Sequence, residues 1–337
     1  LGYDTNITDG EYHRMLRELG QNPEFTRGWL GEENPLPLEL SETHWLADKA
    51  IGELERLSDG SSPWHLSVDF NEPHLPCRPS RPFSTMYDPR ELPRWQGFDD
   101  DFHDKPYIQR QMPLNWRLDG MSWEDWSRTV ALYYGIISQT DDAVGRILDR
   151  LDSLGAAENT LVIFTSDHGD MCGSHHMIDK HYVLYDDVVH VPLIISWKGK
   201  IAAGEVERGF VNNCLDLAPT ILEAAGIESR ENLLGKSLLC DRSESRYAYS
   251  TFNGQQFGLY TMRMIRGERW KYIWNTTDID ELYDLENDPG ELYNLIRTPE
   301  LLPIIVELRQ RLYERLTYLN DPLVNNGWLK NQLLLNL

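Results

Sequence analysis

Residues 165–180, Thr-Ser-Asp-His-Gly-Asp-Met-Cys-Gly-Ser-His-His-Met-Ile-Asp-Lys, place three aspartates, three histidines and a lysine directly behind the apolar run Leu161-Val162-Ile163-Phe164. Carboxylates and imidazoles are ligands for divalent cations, and a lysine is a compact positive charge for an anionic group. A solvated turn would also be polar. It would not account for the order: an unbroken apolar run, then Asp167-His168-Gly169, then Lys180 thirteen residues beyond the first aspartate. A short apolar run bounded by turn residues reads as a buried strand. Open α/β sheets bind their ligands just outside the carboxyl ends of strands. The loop is therefore read as a site.

Such a group needs a scaffold, and the flanking sequence supplies its elements. Apolar residues Trp45, Leu46, Ile51, Leu54 and Leu57 predict an amphipathic helix over about 43–57. The alternating run Trp64–Phe70 predicts a strand closed by Pro73, and residues 75–125, rich in proline and tryptophan, predict long irregular loops. Val130, Tyr133, Ile137, Val144, Ile147, Leu148 and Leu151 follow helical spacing over 126–151, ahead of the strand 161–166. A second buried strand is expected at 191–197, and a helix at 215–226 ended by Gly226. Strand and helix in alternation predict a layered α/β domain with a mainly parallel sheet holding 64–70, 161–166 and 191–197. After about Ser245, successive strand-like runs and a helix near 299–319 predict a small antiparallel sheet with a helix packed on it.

Bulk properties set the remaining bounds. A chain of 337 residues with 41% hydrophobic residues buries a large core. A net charge of −22 argues against nucleic acid or an anionic membrane surface as partner, while leaving room for an anionic small molecule held by a few local cations. No apolar run is long enough for a membrane span. Four scattered cysteines, Cys77, Cys172, Cys214 and Cys240, do not make a disulfide framework. The chain opens at Leu1 without a signal-like segment, so the compartment stays open.

Four stretches, in one order, resemble the sulfatases of the alkaline-phosphatase superfamily and their phosphonate monoester hydrolase cousins. They are VDFNEPHLPCRPSRPFSTMYDP, YYGIISQTDDAVGRILDRLDSLGAAENTLVIFTSDHG with its continuation to Gly199, the loop 165–180 within it, and MIRGERWKYIWNTTDIDELYDLENDPGELYNL. They cover most of residues 60–297. The resemblance implies an alkaline-phosphatase-like α/β/α sandwich over 1–244 and a C-terminal α+β subdomain over 245–337. It implies Asp167 and His168 as metal ligands, with calcium the first expectation and magnesium or manganese as alternatives. Lys180 then touches the transferring group, His74 binds that group or helps the leaving oxygen, and His175 contacts substrate. His176, Asp170 and Asp179 are expected around the site or in solvent.

The family's nucleophile, a cysteine converted to formylglycine in Cys-x-Pro-Ser-Arg, and its paired metal-binding aspartates are expected upstream of Leu1. Cys77-Arg78-Pro79-Ser80-Arg81 spells the maturation motif, but Pro82-Phe83 follows where the family runs Leu-Thr-Gly, so Cys77 reads as a loop cysteine. Asp99-Asp100-Asp101 has no strand before it and reads as a solvated turn. The functional expectation is a sulfuric ester hydrolase acting on a small-molecule or carbohydrate sulfate ester, and a homo-oligomer is compatible with it. The alternatives are a phosphonate monoester or phosphodiester hydrolase, and a catalytically incomplete metal-binding fragment.

Overall fold

The computed structural model describes residues 10–25, 28, 30–228, 233–240, 246–255 and 258–335. The chain divides into two compact units, one of residues 1–94, 121–160 and 197–200, the other of 95–120, 161–196 and 201–337. The expected boundary at 244/245 lies outside the described residues.

The first unit is helical. It contains α1 (Glu11–Glu18), α2 (Glu42–Ser58) and, after the second unit's α3 (Tyr107–Trp116), the long α4 (Trp123–Ser153). A capping box starts α4: the Ser122 hydroxyl accepts from the Asp125 amide while the Asp125 carboxylate accepts from the Ser122 amide. Helix α2 packs along α4 through Thr43, Ala47, Ala50 and Leu54, a stripe whose small residues let the backbones approach. Between them, buried Gln139 donates to the Thr43 hydroxyl and accepts from the Ser80 amide, so the loop after residue 73 is tied to both helices.

The second unit holds all the strands. β1 (Val162–Thr165) and β2 (Leu193–Ser196) pair antiparallel, in register Val162 with Ser196 and Thr165 with Leu193. Between them lie a three-residue 3-10 turn (Ser174–His176) and the four-residue α5 (Asp186–Val189); α6 (Asn213–Ala224) follows. Two expectations are corrected here. Residues 64–70 alternate in burial as a strand does, yet they make no ladder among the described residues. The pairing of 162–165 with 193–196 is antiparallel, and the connection between them has no helix longer than four residues of the kind that usually carries a parallel crossover. Both strands are also half-buried, since a two-stranded ladder covers one face: Phe164 is 41% and Ile194 62% exposed.

The C-terminal part is the expected antiparallel sheet, a meander of β3 (Ala248–Gln255), β4 (Gly258–Arg266), β5 (Trp270–Asn275) and β6 (Glu281–Asp284). The period-two pattern sorts its side chains. Met262, Met264, Ile273 and Tyr283 pack on one face with Met171, Met177 and Tyr182–Tyr185, so the loop of interest is part of this core. Ile265, Tyr272, Trp274 and Leu282 pack on the other against Ile305, Leu308, Leu312 and Leu316 of α7 (Leu302–Tyr318). Two short helices, α8 (Pro322–Asn325) and α9 (Gly327–Leu335), complete that layer. β6 was hidden in the sequence because its residues, Glu-Leu-Tyr-Asp, do not alternate in polarity. They are buried on both faces. The helix α3 was likewise hidden within the proline-rich stretch 75–125. No described helix is long and apolar enough to cross a membrane.

Candidate active site

β1 ends at Thr165, and a set of local bonds turns the chain out of the ladder. The Thr165 hydroxyl donates to the Pro192 carbonyl at 2.8 Å, the Ser166 hydroxyl to the His168 carbonyl at 2.7 Å, and the Asn213 amide at the start of α6 to the Ser166 carbonyl at 3.1 Å. Gly169 then passes so close to the chain at Asp187 that a Cβ would stand 1.9 Å from the Asp187 carbonyl oxygen. Only glycine fits there.

This turn presents Asp167 and His168 side by side. Asp167 Oδ2 is 3.5 Å from His168 Nε2, and the Asp167 side chain is 85% exposed. His168 Nδ1 lies 2.8 Å from the Gly169 carbonyl. A backbone carbonyl can only accept, so Nδ1 is the donor and Nε2 is the ring nitrogen left facing the carboxylate. One carboxylate and one oriented imidazole nitrogen suit a divalent cation, and an anchored second ring nitrogen is the usual support for such a ligand. They are two candidate donors only: among the described residues no three His, Cys, Asp or Glu are arranged to hold a metal ion.

The chain between this pair and Lys180 is unusually constrained. Cys172, His175, His176, Asp179 and Tyr182 all have positive φ, from 37° to 62°. Each such residue costs on the order of 1–3 kcal/mol and persists only where its surroundings hold it. Asp170 Oδ1 accepts from the Cys172 and Asp179 amides and so closes the loop on itself. Lys180 Nζ lies 3.1 Å from Asp179 Oδ1, and His181 Nε2 is 3.1 Å from Asp179 Oδ2. Burial opposes ionisation of Asp179, but the His181 hydrogen bond and the Lys180 charge outweigh it and hold the carboxyl below the usual range. His176 rests on the Phe98 ring, 4.6 Å between centroids. Asp170, Asp179 and His176 thus shape the loop.

His175 and Asp100 depart from their sequence readings. No atom of the His175 side chain is open to a dissolved ligand in this arrangement, since it is 0% exposed. Its Nδ1 is 2.5 Å from Asp100 Oδ2 and its ring stacks on Tyr185 at 4.0 Å. Asp100, expected in a solvated turn, is buried and also accepts from Lys105 Nζ at 2.5 Å. Lys105 donates further to the Tyr185 hydroxyl and the Glu291 carbonyl. Burial opposes a charged Asp100, yet the His175 and Lys105 partners prevail and keep it ionised; burial in turn keeps His175 neutral. The C-terminal signature supplies further scaffolding. Glu281 accepts from Gln109 and Tyr283, Asn294 ties the Asp104 and Asp280 carbonyls, and Glu291 pairs with buried Lys271 at 2.8 Å. Burial raises the Glu291 carboxyl to about 7 against the pull of that lysine.

His74 and Cys77 belong to the first unit. His74 is half-buried, with Nδ1 2.8 Å from the Leu75 carbonyl. Cys77 is 0% exposed, its thiol directed at the Pro73 carbonyl, and its backbone bridges to Gly31. Arg81 pairs with Glu33, Arg78 lies over the Phe25 ring, and the Ser80 amide is held by Gln139. The thiol, both arginines and the Ser80 amide of the motif thus each have a structural contact. A thiol buried in this way is inert. In the protein as encoded in full, Cys77→Ala is therefore expected to leave ester turnover within about twofold of wild type, while lowering the midpoint of thermal unfolding slightly because a small buried side chain is lost. A Cys77→Ala enzyme without activity would make this cysteine the nucleophile.

An α/β chain with a carboxylate–imidazole pair at the end of a strand, followed by a small antiparallel sheet and helix, is of the alkaline-phosphatase-like class. The chain belongs to the sulfatase family: residues 2–227 match the family described as Sulfatase, and residues 173–317 match that described as N-sulphoglucosamine sulphohydrolase, C-terminal. It is 31% identical to an arylsulfatase of Clostridium perfringens over 88% of this chain and 61% of the relative. It is 32% identical to the choline-sulfatase of Rhizobium meliloti over 77% of this chain and 51% of the relative. The chain thus spans between half and three-fifths of these relatives. Among solved structures it resembles the phosphonate monoester hydrolase of Agrobacterium radiobacter with a TM-score of 0.75 and 26% identity, over 96% of this chain and 69% of that one.

Proposed function

We propose that the protein as encoded in full is a sulfuric ester hydrolase, acting on a small-molecule or carbohydrate sulfate ester. The observation that carries this reading is the placement of Asp167 beside His168 Nε2 at the end of β1, in a chain that matches the sulfatase family across that segment. Asp167 and His168 would hold a divalent cation, calcium first by the family resemblance and magnesium or manganese next. Bound there, it supplies positive charge against the ester's nonbridging oxygens. Lys180 adds a second positive charge for the group in transfer, and one that moves with the loop rather than with an ion. His74 is assigned to that group or to the leaving oxygen on its Pro-His-x-Pro motif. The nucleophile is assigned to a formylglycine outside this chain. The division into residues 1–244 and 245–337 is kept as a proposed domain boundary.

A second reading, phosphonate monoester or phosphodiester hydrolysis, is favoured by the likeness to the phosphonate monoester hydrolase of Agrobacterium radiobacter. Sulfuryl and phosphoryl groups share tetrahedral shape and anionic oxygens, so one site accepts both. Steady-state kcat/KM of the protein as encoded in full, on 4-nitrophenyl sulfate and on 4-nitrophenyl phenylphosphonate, separates the two. The sulfate is expected to be the better substrate by at least tenfold. A preference for the phosphonate would install the second reading, and turnover of neither would remove both.

A further inference from the structure

The residues around the proposed site leave one cluster without a task. Asp100, Lys105 and His175 have side chains with no exposed surface, and the charges among them are buried at the centre of the second unit. Burying ionic groups is costly and seldom the cheapest way to gain stability, because apolar residues of similar volume do as well. A cluster of this kind needs a reason to be there. Its location gives one. His175 lies within the strained stretch 172–182 with φ of 50°, with positive φ also at Cys172 and Gly173 two to three residues before it and at His176 directly after it.

Every contact of His175 fixes it from outside its own loop. Asp100 holds Nδ1 at 2.5 Å, and Tyr185 lies parallel to the ring at 4.0 Å. Gly97 closes the remaining side: a Cβ there would stand 2.7 Å from Nε2 and 2.6 Å from Ser174 Oγ. Next in the chain, Ser174 donates to Asp187 Oδ2 at 2.9 Å. Asp100 is itself held by Lys105, which is anchored on the Glu291 carbonyl and the Tyr185 hydroxyl. The arrangement keys the loop into a fixed socket five residues before Lys180. From the other end, Asp167 and His168 are fixed by Gly169 against Val188, whose carbonyl accepts from the Gly169 amide at 2.8 Å.

We propose that Asp100, backed by Lys105, is a positioning residue that acts through His175 to hold residues 172–182 in their strained path, and so fixes where Lys180 sits relative to Asp167 and His168. The inference rests on the proposed role of Lys180. Without the Asp100 charge the imidazole loses its anchor and Lys105 is left buried without its counter-ion. The positive-φ residues then relax toward ordinary backbone, and the lysine ammonium moves. A displacement near 1 Å in a group that stabilises a transition state costs about 10–100-fold in rate.

The test uses the protein as encoded in full with 4-nitrophenyl sulfate. Asp100→Asn is expected to lower kcat by about 10–100-fold, with KM changed much less, the range typical for removal of a group that orients a functional residue. Adding Lys180→Ala to Asp100→Asn is expected to give no greater loss than Lys180→Ala alone, since both remove one contribution. A purely structural role for Asp100 predicts independent, multiplied losses instead, and that result would overturn the proposal. Amide hydrogen exchange gives a second readout that needs no turnover: exchange should accelerate over residues 172–182 while β3–β6 keep wild-type protection. Acceleration spread evenly through the sheet would sink the idea, as would a folded Asp100→Asn enzyme with wild-type kcat.

His175→Gln, which keeps the Asp100–Lys105 pair, is the companion variant and should reproduce both effects. If neither variant can be recovered folded, the cluster holds the whole unit rather than the loop, and the proposal fails. If Lys180→Ala by itself leaves turnover intact, the role assigned to Lys180 is what falls, while the proposed hydrolysis stands. The exchange pattern then still decides whether Asp100 and His175 position the loop.

Discussion

Replacing Lys180 by alanine in the protein as encoded in full is expected to lower kcat for a sulfate ester by about 10²–10³-fold, the loss found when one preorganised donor to developing transition-state charge is removed. The lysine is placed for that task. Its Nζ is 3.1 Å from Asp179, whose carboxylate is shared with His181, so the ammonium is held at one position on a loop whose backbone is locked. Because the contribution arises as charge shifts onto the leaving and nonbridging oxygens, the loss should appear in kcat more than in KM. Lys180→Arg should recover little of it, since a planar fork is a different shape from a compact ammonium. Stopped assays of initial rate across substrate concentration check both. A Lys180→Ala enzyme within threefold of wild type would remove the lysine from the reaction.

The 337-residue chain on its own is expected to show no sulfate ester turnover above the uncatalysed rate, with or without added calcium. The loop brings two candidate donors together, Asp167 and His168, whereas a calcium ion takes six to eight oxygen ligands, so weak binding is expected. Nor is Cys77 or Cys172 expected to serve as nucleophile. Cys77 and Cys172 are both buried, and a nucleophile in line with the ester is what divides one difficult displacement into two easier ones. Calorimetric titration of the isolated chain with calcium should give a dissociation constant in or above the millimolar range, and Asp167→Ala should abolish the residual heat. Measurable hydrolysis by the isolated chain would mean that the reaction is carried by residues given other roles above, Cys77 first among them.

Most of the elements could be read from the sequence because each depends on neighbours only a few residues away. The helix at 123–153 follows from apolar residues at helical spacing and the Ser122–Asp125 cap, and the strands after 246 follow from β-branched and aromatic runs between turn residues. The Asp167-His168-Gly169 turn and Lys180 could be found in the same way, since a strand followed by a ligand-rich loop is a local pattern. α3 and β6 escaped because the signal of each was locally contradicted, one by its proline-rich setting, the other by two acidic residues that only long-range partners neutralise.

The sequence by itself determined the kind of each long element, the position of the site loop and the family to which the chain belongs. The tertiary structure alone decided which of the polar candidates are buried in structural pairs and which stay exposed. Asp100 in a run of three aspartates looks solvated until His175, 75 residues away, and Lys105 are seen to enclose it. His175 looks like a ligand until Gly97 and Tyr185 are seen to bury it. Cys77 reads as a loop cysteine in the sequence only by the Pro82-Phe83 that follows its motif, and the structure adds that its thiol is enclosed beside the Pro73 carbonyl. Strand direction belongs with these, since the partner of 162–165 is set by how the connection returns and not by either strand's residues. The reason is common to all four. Desolvation and pairing energies depend on what approaches in space, and residue type fixes only what each group will demand of the neighbours it meets.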